Sequence, residues 1–188
     1  MCGGRGTRLG RGEKPLVRVG GKPMVDRVLD AVSPVAGTVY GVPSPHTPET
    51  RDHLAGRVPI IDTEGGGYVE DLSAALSHVE QPVLTVTADL PLLNSADVRA
   101  ALEAHEGIGE GSLTVCVPVE RKRELGVSVG TSFCHEGKRV APAGLNVVGE
   151  LGERVWVTDR LGLAVNVNRS GDLQVASVVS SERFSSSR

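Results

Sequence analysis

The feature that most constrains this chain is a glycine-rich stretch at residues 2–15, with the sequence CGGRGTRLGRGEKP. Its glycines let the backbone turn sharply and approach a ligand with no Cβ in the way. Successive N–H groups in such a loop form a concavity that binds anions, which suits the phosphates of a nucleotide. Arg5, Arg8 and Lys14 add positive charge, and an arginine can hold a phosphate through two hydrogen bonds. The stretch therefore predicts a phosphate-binding loop.

This loop differs from two common phosphate-binding motifs. No Gly-Lys-Ser/Thr follows at the spacing of the P-loop, and Gly4-Arg5-Gly6 lacks the third glycine of a dinucleotide fingerprint. A glycine-rich surface loop with scattered basic residues is the competing interpretation. It accounts for any one part of the stretch, but not for the glycines, the arginines and Glu13-Lys14-Pro15 together.

Length, charge and cysteine content narrow the class of protein. The 188 residues suit one domain, which we expect to span residues 1–179, followed by a disordered tail at 180–188. No apolar run approaches the roughly 20 residues of a membrane helix, and a net charge of −3 argues against nucleic-acid binding. The three cysteines share no CxxC spacing, so neither a disulfide framework nor a zinc site is indicated. No signal peptide precedes the glycines, which predicts a cytoplasmic protein.

A second informative stretch joins a glycine run at residues 65–67 to the start of a helix. Leu72, Ala75, Leu76 and Val79 are expected on one face of that helix, and Glu70 and Asp71 in its first turn. Negative charge near the start of a helix interacts favourably with the helix dipole, which is one explanation for the two acidic residues. The other is recognition of guanine, whose N1–H and N2–H donors a carboxylate can accept. The sequence leaves the two explanations open.

An aspartate follows the strand predicted at residues 83–88, in the sequence VLTVTADLP. Ligands of open α/β sheets bind beyond the carboxyl ends of the strands, which is the position of Asp89. Magnesium in such sites is held by one or two carboxylates together with substrate phosphates. We therefore favour Asp89 as a Mg²⁺ ligand over a capping role in the turn before the next helix.

Periodicity elsewhere predicts strands alternating with helices. Helices are expected around Val25–Val32, from Pro48 with Thr47 as its cap, and from Ser170, and residues 120–140 are expected to form a hairpin or a mobile flap. Further strands are predicted at 38–42, 58–62, 113–119, 142–148, 155–157 and 163–168. This alternation favours an α/β fold with a mostly parallel sheet and helices on both faces.

The glycine stretch followed by Glu-Lys-Pro resembles the signature of the nucleotidyltransferase superfamily, and so implies a Rossmann-like fold. Later segments resemble the archaeal adenosylcobinamide-phosphate guanylyltransferases. These segments are Ser44–Thr50, Ile61–Leu72, Ala88–Leu90, Pro142–Val148 and Val165–Asn168. The resemblance implies transfer of GMP from GTP to adenosylcobinamide phosphate, a step of cobalamin biosynthesis that releases pyrophosphate. The substrates would be GTP and a corrinoid phosphate, with Mg²⁺ as cofactor.

The same resemblance implies roles for individual residues. Arg8, Lys14 and Asp89 would be catalytic, and Asp89 with Asn168 would bind the metal, although Asn166 is an alternative to Asn168. Nucleotide contacts are expected from Gly3, Gly4, Arg5, Gly6, Thr7, Gly65, Gly67, Glu70, Asp71 and Gly144. The alternatives are a molybdopterin guanylyl- or cytidylyltransferase and a nucleotide-binding protein without turnover.

The start of the chain departs from the superfamily pattern. There the glycine loop follows a buried first strand, whereas here it begins at residue 2. We therefore expect the central strand of the sheet to be missing. A central strand is buried on both faces, so we also expect the 188-residue chain to be insoluble or to bind GTP poorly when expressed alone.

Overall fold

The structure is a computed structural model that describes residues 1–4, 9–107 and 110–185. A short 3-10 helix, Lys14–Leu16, precedes the other elements. The strands are β1 Arg18–Val19, β2 Lys22–Pro23, β3 Val83–Val86, β4 Gly111–Pro118, β5 Phe133–His135, β6 Lys138–Val148 and β7 Leu151–Val157. The helices are α1 Met24–Val32, α2 Pro48–Leu54, α3 Tyr68–Leu76, α4 Ser95–Glu106, α5 Val119–Glu124, α6 Leu161–Ala164 and α7 Ser170–Ser185. None of the helices in the described ranges is long and apolar enough to cross a membrane.

The main sheet has the order β3-β6-β4-β7, with β5 paired to one end of β6. Strand β6 is antiparallel to β3, β4 and β5, whereas β4 and β7 are parallel. Within the described part of the chain, β6 therefore runs against the other four strands of a mixed sheet. The predicted α/β fold is confirmed, with most strands pointing in one direction.

Alternating side chains of the central strands build the core. Leu113, Val115 and Val117 of β4 are almost fully buried and pack in one cluster with Val28 of α1 and Val98 of α4. Residues two apart on a strand face the same side, so β4 directs these three side chains toward α1 and α4. The intervening residue Thr114 instead donates a hydrogen bond to the carboxylate of Glu153. One face of the sheet thus carries most of the apolar burial.

Helix α3 packs near the opposite face. The Tyr68 hydroxyl at its start interacts with Thr85 of β3 and Asn146 of β6, whose neighbours Leu84, Val86, Leu145 and Val147 contact the core cluster. Because adjacent residues of a strand point to opposite faces, Tyr68 lies on the side away from α1 and α4. Helices therefore flank the sheet on both faces, as predicted.

Two of the predicted strands, 38–42 and 58–62, do not form. They are extended segments joined by a single parallel bridge between Gly41 and Ile60. The Gly41 N–H donates to Pro59 O and the Ile61 N–H donates to Gly41 O, but Pro59 has no N–H with which to extend the ladder. The apolar pattern of these segments was correct, and the missing pairing explains why neither is a strand.

The predicted strand at 163–168 is also wrong. Its first two residues end α6, where the N–H groups of Leu163 and Ala164 both donate to Arg160 O. The following residues are irregular, and the Val167 N–H donates to Asp89 O. Valines here are buried by packing against α7 and neighbouring loops rather than by pairing in the sheet. Tertiary contacts have overridden β-propensity.

The remaining differences lie in 119–148 and at the end of the chain. The predicted hairpin is present as β5 and β6, preceded by the unpredicted helix α5. Helix α7 continues to Ser185 and so includes part of the segment for which we expect a disordered tail. Ser180 within it is buried and accepts a hydrogen bond from Arg27.

The first two residues lie between β3 and the segment 38–42. The Met1 amino group donates to Val86 O, the Ala88 N–H donates to Met1 O, and the Cys2 N–H donates to Val42 O. Beside them is an apolar groove of about 320 Å³, lined by side chains from α1, α3, β3 and residues 36–42. Met1 and Cys2 also line this groove.

Candidate active site

A cavity of about 480 Å³ lies where the first residues, the glycine run at 65–67 and the end of β3 meet. Its lining includes Gly3, Gly4 and Lys14 from the first stretch and Asp89 from the end of the strand. Small-molecule sites commonly have this size and combine a few polar groups with a largely preformed shape. The cavity brings together the two glycine-rich stretches, which are about sixty residues apart in sequence.

Lys14, Asp89 and Asn168 come from distant parts of the chain, and their side chains meet beside the cavity. The Lys14 ammonium donates to Asp89 Oδ2 at 2.6 Å and to Asn168 Oδ1 at 2.7 Å. The Lys14 and Asp89 side chains are only 16% and 14% exposed, so water screens their attraction less than at an open surface. Two oxygen atoms therefore converge on one cation beside the cavity. We refer to these three residues as the Lys14 cluster.

The other carboxylate oxygen of Asp89, Oδ1, contacts two polar side chains. Thr87 Oγ1 donates to Asp89 Oδ1 at 2.6 Å, and Asn166 Nδ2 lies 3.4 Å from the same oxygen. Both donors contact Oδ1, so Oδ2 remains directed at Lys14. Asp89 is thus oriented by Thr87 and Asn166, and no sequence pattern indicated that these two side chains would contact it.

Gly144 lies in this supporting layer. Its φ of +85° is one that L side chains rarely adopt. An added Cβ would collide with the Thr87 hydroxyl and would approach Asn166 Nδ2 to 3.3 Å. Gly144 is thus closely approached by Thr87 and Asn166, the two residues that hold Asp89.

The second glycine run is shaped by Asp71. This side chain is buried, and its Oδ1 accepts a hydrogen bond from the Gly65 N–H at 3.0 Å. Its Oδ2 would lie 3.4 Å from a Cβ placed on Gly3, so the carboxylate lies between the two glycine stretches. Gly67, which precedes α3, has a φ of +137°, a conformation that favours glycine. Asp71 lines the cavity, whereas Glu70 is exposed to solvent.

Tyr68 forms part of the same wall. Its side chain lines the cavity beside the glycine run, although the residue as a whole is 46% exposed. Burial of the hydroxyl end raises the pKa of Tyr68, so the phenol stays neutral at physiological pH. An aromatic ring here offers a flat apolar surface to a bound base.

Glu13 links the first stretch to α2. Its carboxylate accepts hydrogen bonds from the N–H groups of Glu49 and Thr50, at 2.8 and 2.6 Å, and from the Thr50 hydroxyl at 2.6 Å. The first N–H groups of a helix have no partner within it, and Glu13 satisfies two of them. Thr47, the predicted cap, precedes the helix as expected, but its hydroxyl instead bonds with Ser44. Thr47 is thus the N-cap residue of α2, as predicted, but its side chain makes no capping hydrogen bond.

Asn168 is positioned by Asp172 in the first turn of α7. The buried Asp172 carboxylate accepts from the N–H groups of Asn168 and Arg169 and from both the N–H and the hydroxyl of Ser128. Burial by itself would raise the pKa of Asp172, but these hydrogen bonds outweigh it and the pKa is lowered. The carboxylate thus joins the loop carrying Asn168 to the segment that follows α5.

The structure locates most of the predicted site residues. Gly3, Gly4, Lys14, Gly65, Gly67, Asp71 and Asp89 line the cavity. Asn168 joins them through Lys14. Glu70 is exposed, with its carboxylate beside Gly67, and Gly144 lies behind Asp89. The predicted contacts of Arg5, Gly6, Thr7 and Arg8 lie outside the described residues.

The Lys14 cluster also bears on metal binding. In residues 1–4, 9–107 and 110–185, no group of three or more His, Cys, Asp and Glu side chains is arranged to hold a metal ion. Magnesium does not require such a group, because it binds through one or two carboxylates, waters and substrate phosphates. Asp89 Oδ2 and Asn168 Oδ1 are hard oxygen donors that already share one cation, the Lys14 ammonium. These residues fit a magnesium ion bound together with a nucleotide.

Comparison with known proteins places the chain among nucleotidyltransferases. Residues 1–163 match the family model described as MobA-like NTP transferase domain. The chain is 30% identical over 198 residues to an adenosylcobinamide-phosphate guanylyltransferase of Methanocaldococcus jannaschii, with 95% of this chain and 94% of that protein covered.

Solved structures show the same fold. A hypothetical transferase from Thermus thermophilus is 22% identical with a TM-score of 0.69, over 92% of this chain and 96% of that chain. Molybdopterin-guanine dinucleotide biosynthesis protein A from Archaeoglobus fulgidus is 17% identical with a TM-score of 0.62, over 96% of each chain. At these identities the likeness concerns architecture alone.

Proposed function

The chain belongs to the MobA-like NTP transferase family, and we propose that it transfers GMP from GTP to adenosylcobinamide phosphate, releasing pyrophosphate. The family match confirms the predicted nucleotidyltransferase activity, and the resemblance to adenosylcobinamide-phosphate guanylyltransferases is confirmed by the 30% identical relative. The name of that relative, an adenosylcobinamide-phosphate guanylyltransferase, supports both the base and the acceptor proposed here. The geometric observation that carries the proposal is the convergence of Asp89 and Asn168 on the Lys14 ammonium beside the cavity.

The chemistry explains what such a site must supply. An oxygen of the acceptor phosphate forms a bond to the α-phosphorus of GTP, and the bond to the oxygen leading to the β-phosphate breaks. The second pKa of a phosphate monoester is about 6, so the acceptor is already anionic at neutral pH and needs no general base. Positioning and charge neutralisation therefore supply most of the catalysis.

The positive charges of the first stretch would act on the triphosphate. We assign Gly3, Gly4 and residues 5–7 to the phosphates through their N–H groups, with Arg8 as a further cationic contact. Lys14 would offset charge on the α-phosphate or on the leaving pyrophosphate. It bonds to Asp89 and Asn168 here, and both partners lie beside the cavity in which the phosphates would bind.

Asp89 and Asn168 would hold Mg²⁺ when nucleotide is bound. The ion would supply positive charge between the phosphates and the protein, where negative charge accumulates during transfer. Asn166 is less suited than Asn168, because its amide nitrogen rather than its oxygen is turned toward Asp89. Lys14 would then contact the phosphates in place of the two oxygens.

Base recognition is assigned to the wall formed by the glycine run and Asp71. A carboxylate can accept from both N1–H and N2–H of guanine, whereas adenine presents an acceptor at N1. Asp71 is buried and lines the cavity, which favours it over the exposed Glu70. Gly65 and Gly67 would allow the base to approach the backbone.

The assignment of the acceptor is tested by pyrophosphate release. Purified protein is incubated with GTP, Mg²⁺ and either adenosylcobinamide phosphate or molybdopterin, with CTP and ATP in parallel. Release with GTP and the corrinoid alone is the expected result. Release with molybdopterin would reassign the acceptor, and nucleotide binding without pyrophosphate in any mixture would indicate a protein without turnover.

The assignment of the base is tested by a pair of substitutions. Asp71→Asn should weaken GTP binding about 10- to 100-fold, because a hydrogen bond to a charged group contributes roughly 1.5–3 kcal/mol. ATP binding should change little, and Glu70→Gln is the matched control one residue away on the exposed side. Calorimetry in which the parent binds ATP and GTP equally well would contradict guanine recognition.

A further inference from the structure

A buried lysine lies behind the Lys14 cluster, in α5. Lys122 is 3% exposed, and its ammonium donates to Ala164 O at 2.9 Å and to Asn166 Oδ1 at 2.7 Å. Both acceptors are neutral oxygens. Removing an ammonium group from water costs several kcal/mol, and an apolar side chain of similar size would avoid that cost. Packing therefore does not explain why this position carries a lysine.

The contact with Asn166 offers an explanation. An amide side chain can turn either its oxygen or its nitrogen toward a neighbour, but a lysine ammonium has only donors to offer. Lys122 therefore selects the orientation in which Asn166 Oδ1 faces it and Nδ2 faces the other way. In that orientation Nδ2 donates to Ala143 O at 2.8 Å and lies 3.4 Å from Asp89 Oδ1.

The reverse orientation would be unfavourable at both ends. The amide oxygen would face Ala143 O and the Asp89 carboxylate, and the amide NH₂ would face the Lys122 ammonium. In each contact an acceptor would face another acceptor, or a donor would face another donor. The same amide also lies near the space that Gly144 leaves empty, where a Cβ would approach Asn166 Nδ2 to 3.3 Å. The position of Asn166 is thus determined from several directions.

We propose that Lys122 is a positioning residue that fixes the amide of Asn166, and through it holds Asp89 Oδ1 away from the cavity. Oδ2 is then presented to a cation, as it is to Lys14 here. This inference rests on the proposed function in assigning Asp89 to the metal. The orientation of Asn166 by Lys122 is a separate statement and can be measured without turnover.

The direct test follows the side-chain amide of Asn166 by NMR in the full chain. In the parent protein its NH₂ protons should exchange slowly with solvent, because Ala143 O and Asp89 accept them in a buried setting. In Lys122→Met, which keeps the length of the side chain but removes its donors, exchange should accelerate. Unchanged protection in a folded Lys122→Met protein would overturn the proposal, whether or not the parent shows transferase activity.

The functional consequence is tested with Mn²⁺ as a paramagnetic probe in the presence of GTP. Lys122→Met should weaken Mn²⁺ affinity and lower kcat by about 10- to 100-fold each, the usual effect of removing an outer partner of a metal ligand. GTP affinity without metal should change much less. Lys138→Met, which removes an exposed lysine from the hairpin, is the matched control and should leave both quantities unchanged.

Two further variants guard against simple unfolding. If Lys122 acts through Asn166, then Lys122→Met should have little additional effect on Mn²⁺ affinity in an Asn166→Ala background. Asn166→Asp keeps an oxygen for Lys122 but places a second oxygen against Asp89, so it should weaken Mn²⁺ affinity. A cooperative unfolding transition would show that this variant is still folded. Parent-like Mn²⁺ affinity in Asn166→Asp, or additive effects in the double variant, would contradict the proposal.

Discussion

Replacing Glu13 by alanine should loosen the connection between the glycine-rich stretch and α2. The substitution leaves three donors without their present acceptor, namely the N–H groups of Glu49 and Thr50 and the Thr50 hydroxyl. Thr50 is fully buried, so its hydroxyl cannot turn to water without local opening. The stretch that carries Lys14 would also lose the hydrogen bonds that Glu13 makes to the start of α2.

The magnitude follows from the number and exposure of these bonds. Loss of a helix cap costs about 0.5–2 kcal/mol, and a hydrogen bond to a charged group contributes about 1.5–3 kcal/mol. Glu13 is partly exposed, so water replaces part of what is lost. We expect the free energy of unfolding to fall by about 2 kcal/mol, which for a chain of this size lowers Tm by about 4–8 °C.

The assay is urea and thermal unfolding followed by circular dichroism. Glu103→Ala, on the exposed face of α4, is the matched control for loss of a glutamate. Glu13→Gln retains one acceptor oxygen and should lie between the parent and Glu13→Ala. Affinity for GTP should also fall in Glu13→Ala, because the adjacent Lys14 loses its support. A Tm for Glu13→Ala no lower than that of Glu103→Ala would refute this account of the cap.

Three further predictions concern the metal site, pH and the groove. Asp89→Asn should lower kcat far more than GTP affinity while Tm is retained; turnover near the parent level would reassign Asp89 to a structural role. The lowered pKa of Asp172 implies stabilisation that is present above its unfolded pKa of about 3.9 and is lost as pH falls through the lower folded value. Urea unfolding at several pH values should therefore show that the free energy of unfolding falls less on acidification in Asp172→Asn than in the parent. An apolar, strand-forming peptide fused before Met1 should raise Tm and GTP affinity by pairing beside Val86 and filling the groove; a Gly-Ser peptide of equal length should do neither.

Local pattern was sufficient where a residue's role depends on its immediate neighbours. The glycine run before α3 predicts a tight turn into a helix, and Gly67 at that junction has the required positive φ. Asp89 follows a segment predicted to be a strand, and it lines the cavity just beyond the end of β3. The α/β class likewise follows from alternating periodicities, which do not depend on how the elements are arranged in space.

Pattern was insufficient where pairing partners decide the structure. The apolar segments at 38–42 and 163–168 have the composition of strands, but a strand also requires a neighbour whose N–H and C=O groups are in register. In the described structure, segment 38–42 pairs through a single bridge at Gly41. The first two residues of segment 163–168 belong to α6, and the Val167 N–H then donates to Asp89 O. Hydrophobicity predicts burial, and only the tertiary arrangement determines whether burial occurs in a sheet.

The sequence by itself thus determined the class of fold, the two glycine-rich stretches and the carboxylate beside them, since these depend on backbone conformation and short spacing. Only the tertiary structure decided that Glu13 caps α2, that Lys14 meets Asn168 across 154 residues, and that Lys122 orients Asn166. Hydrogen bonds of this kind depend on direction and distance between segments that no periodicity relates. Their donors and acceptors are visible in the sequence, but their partners are fixed only when the chain is packed.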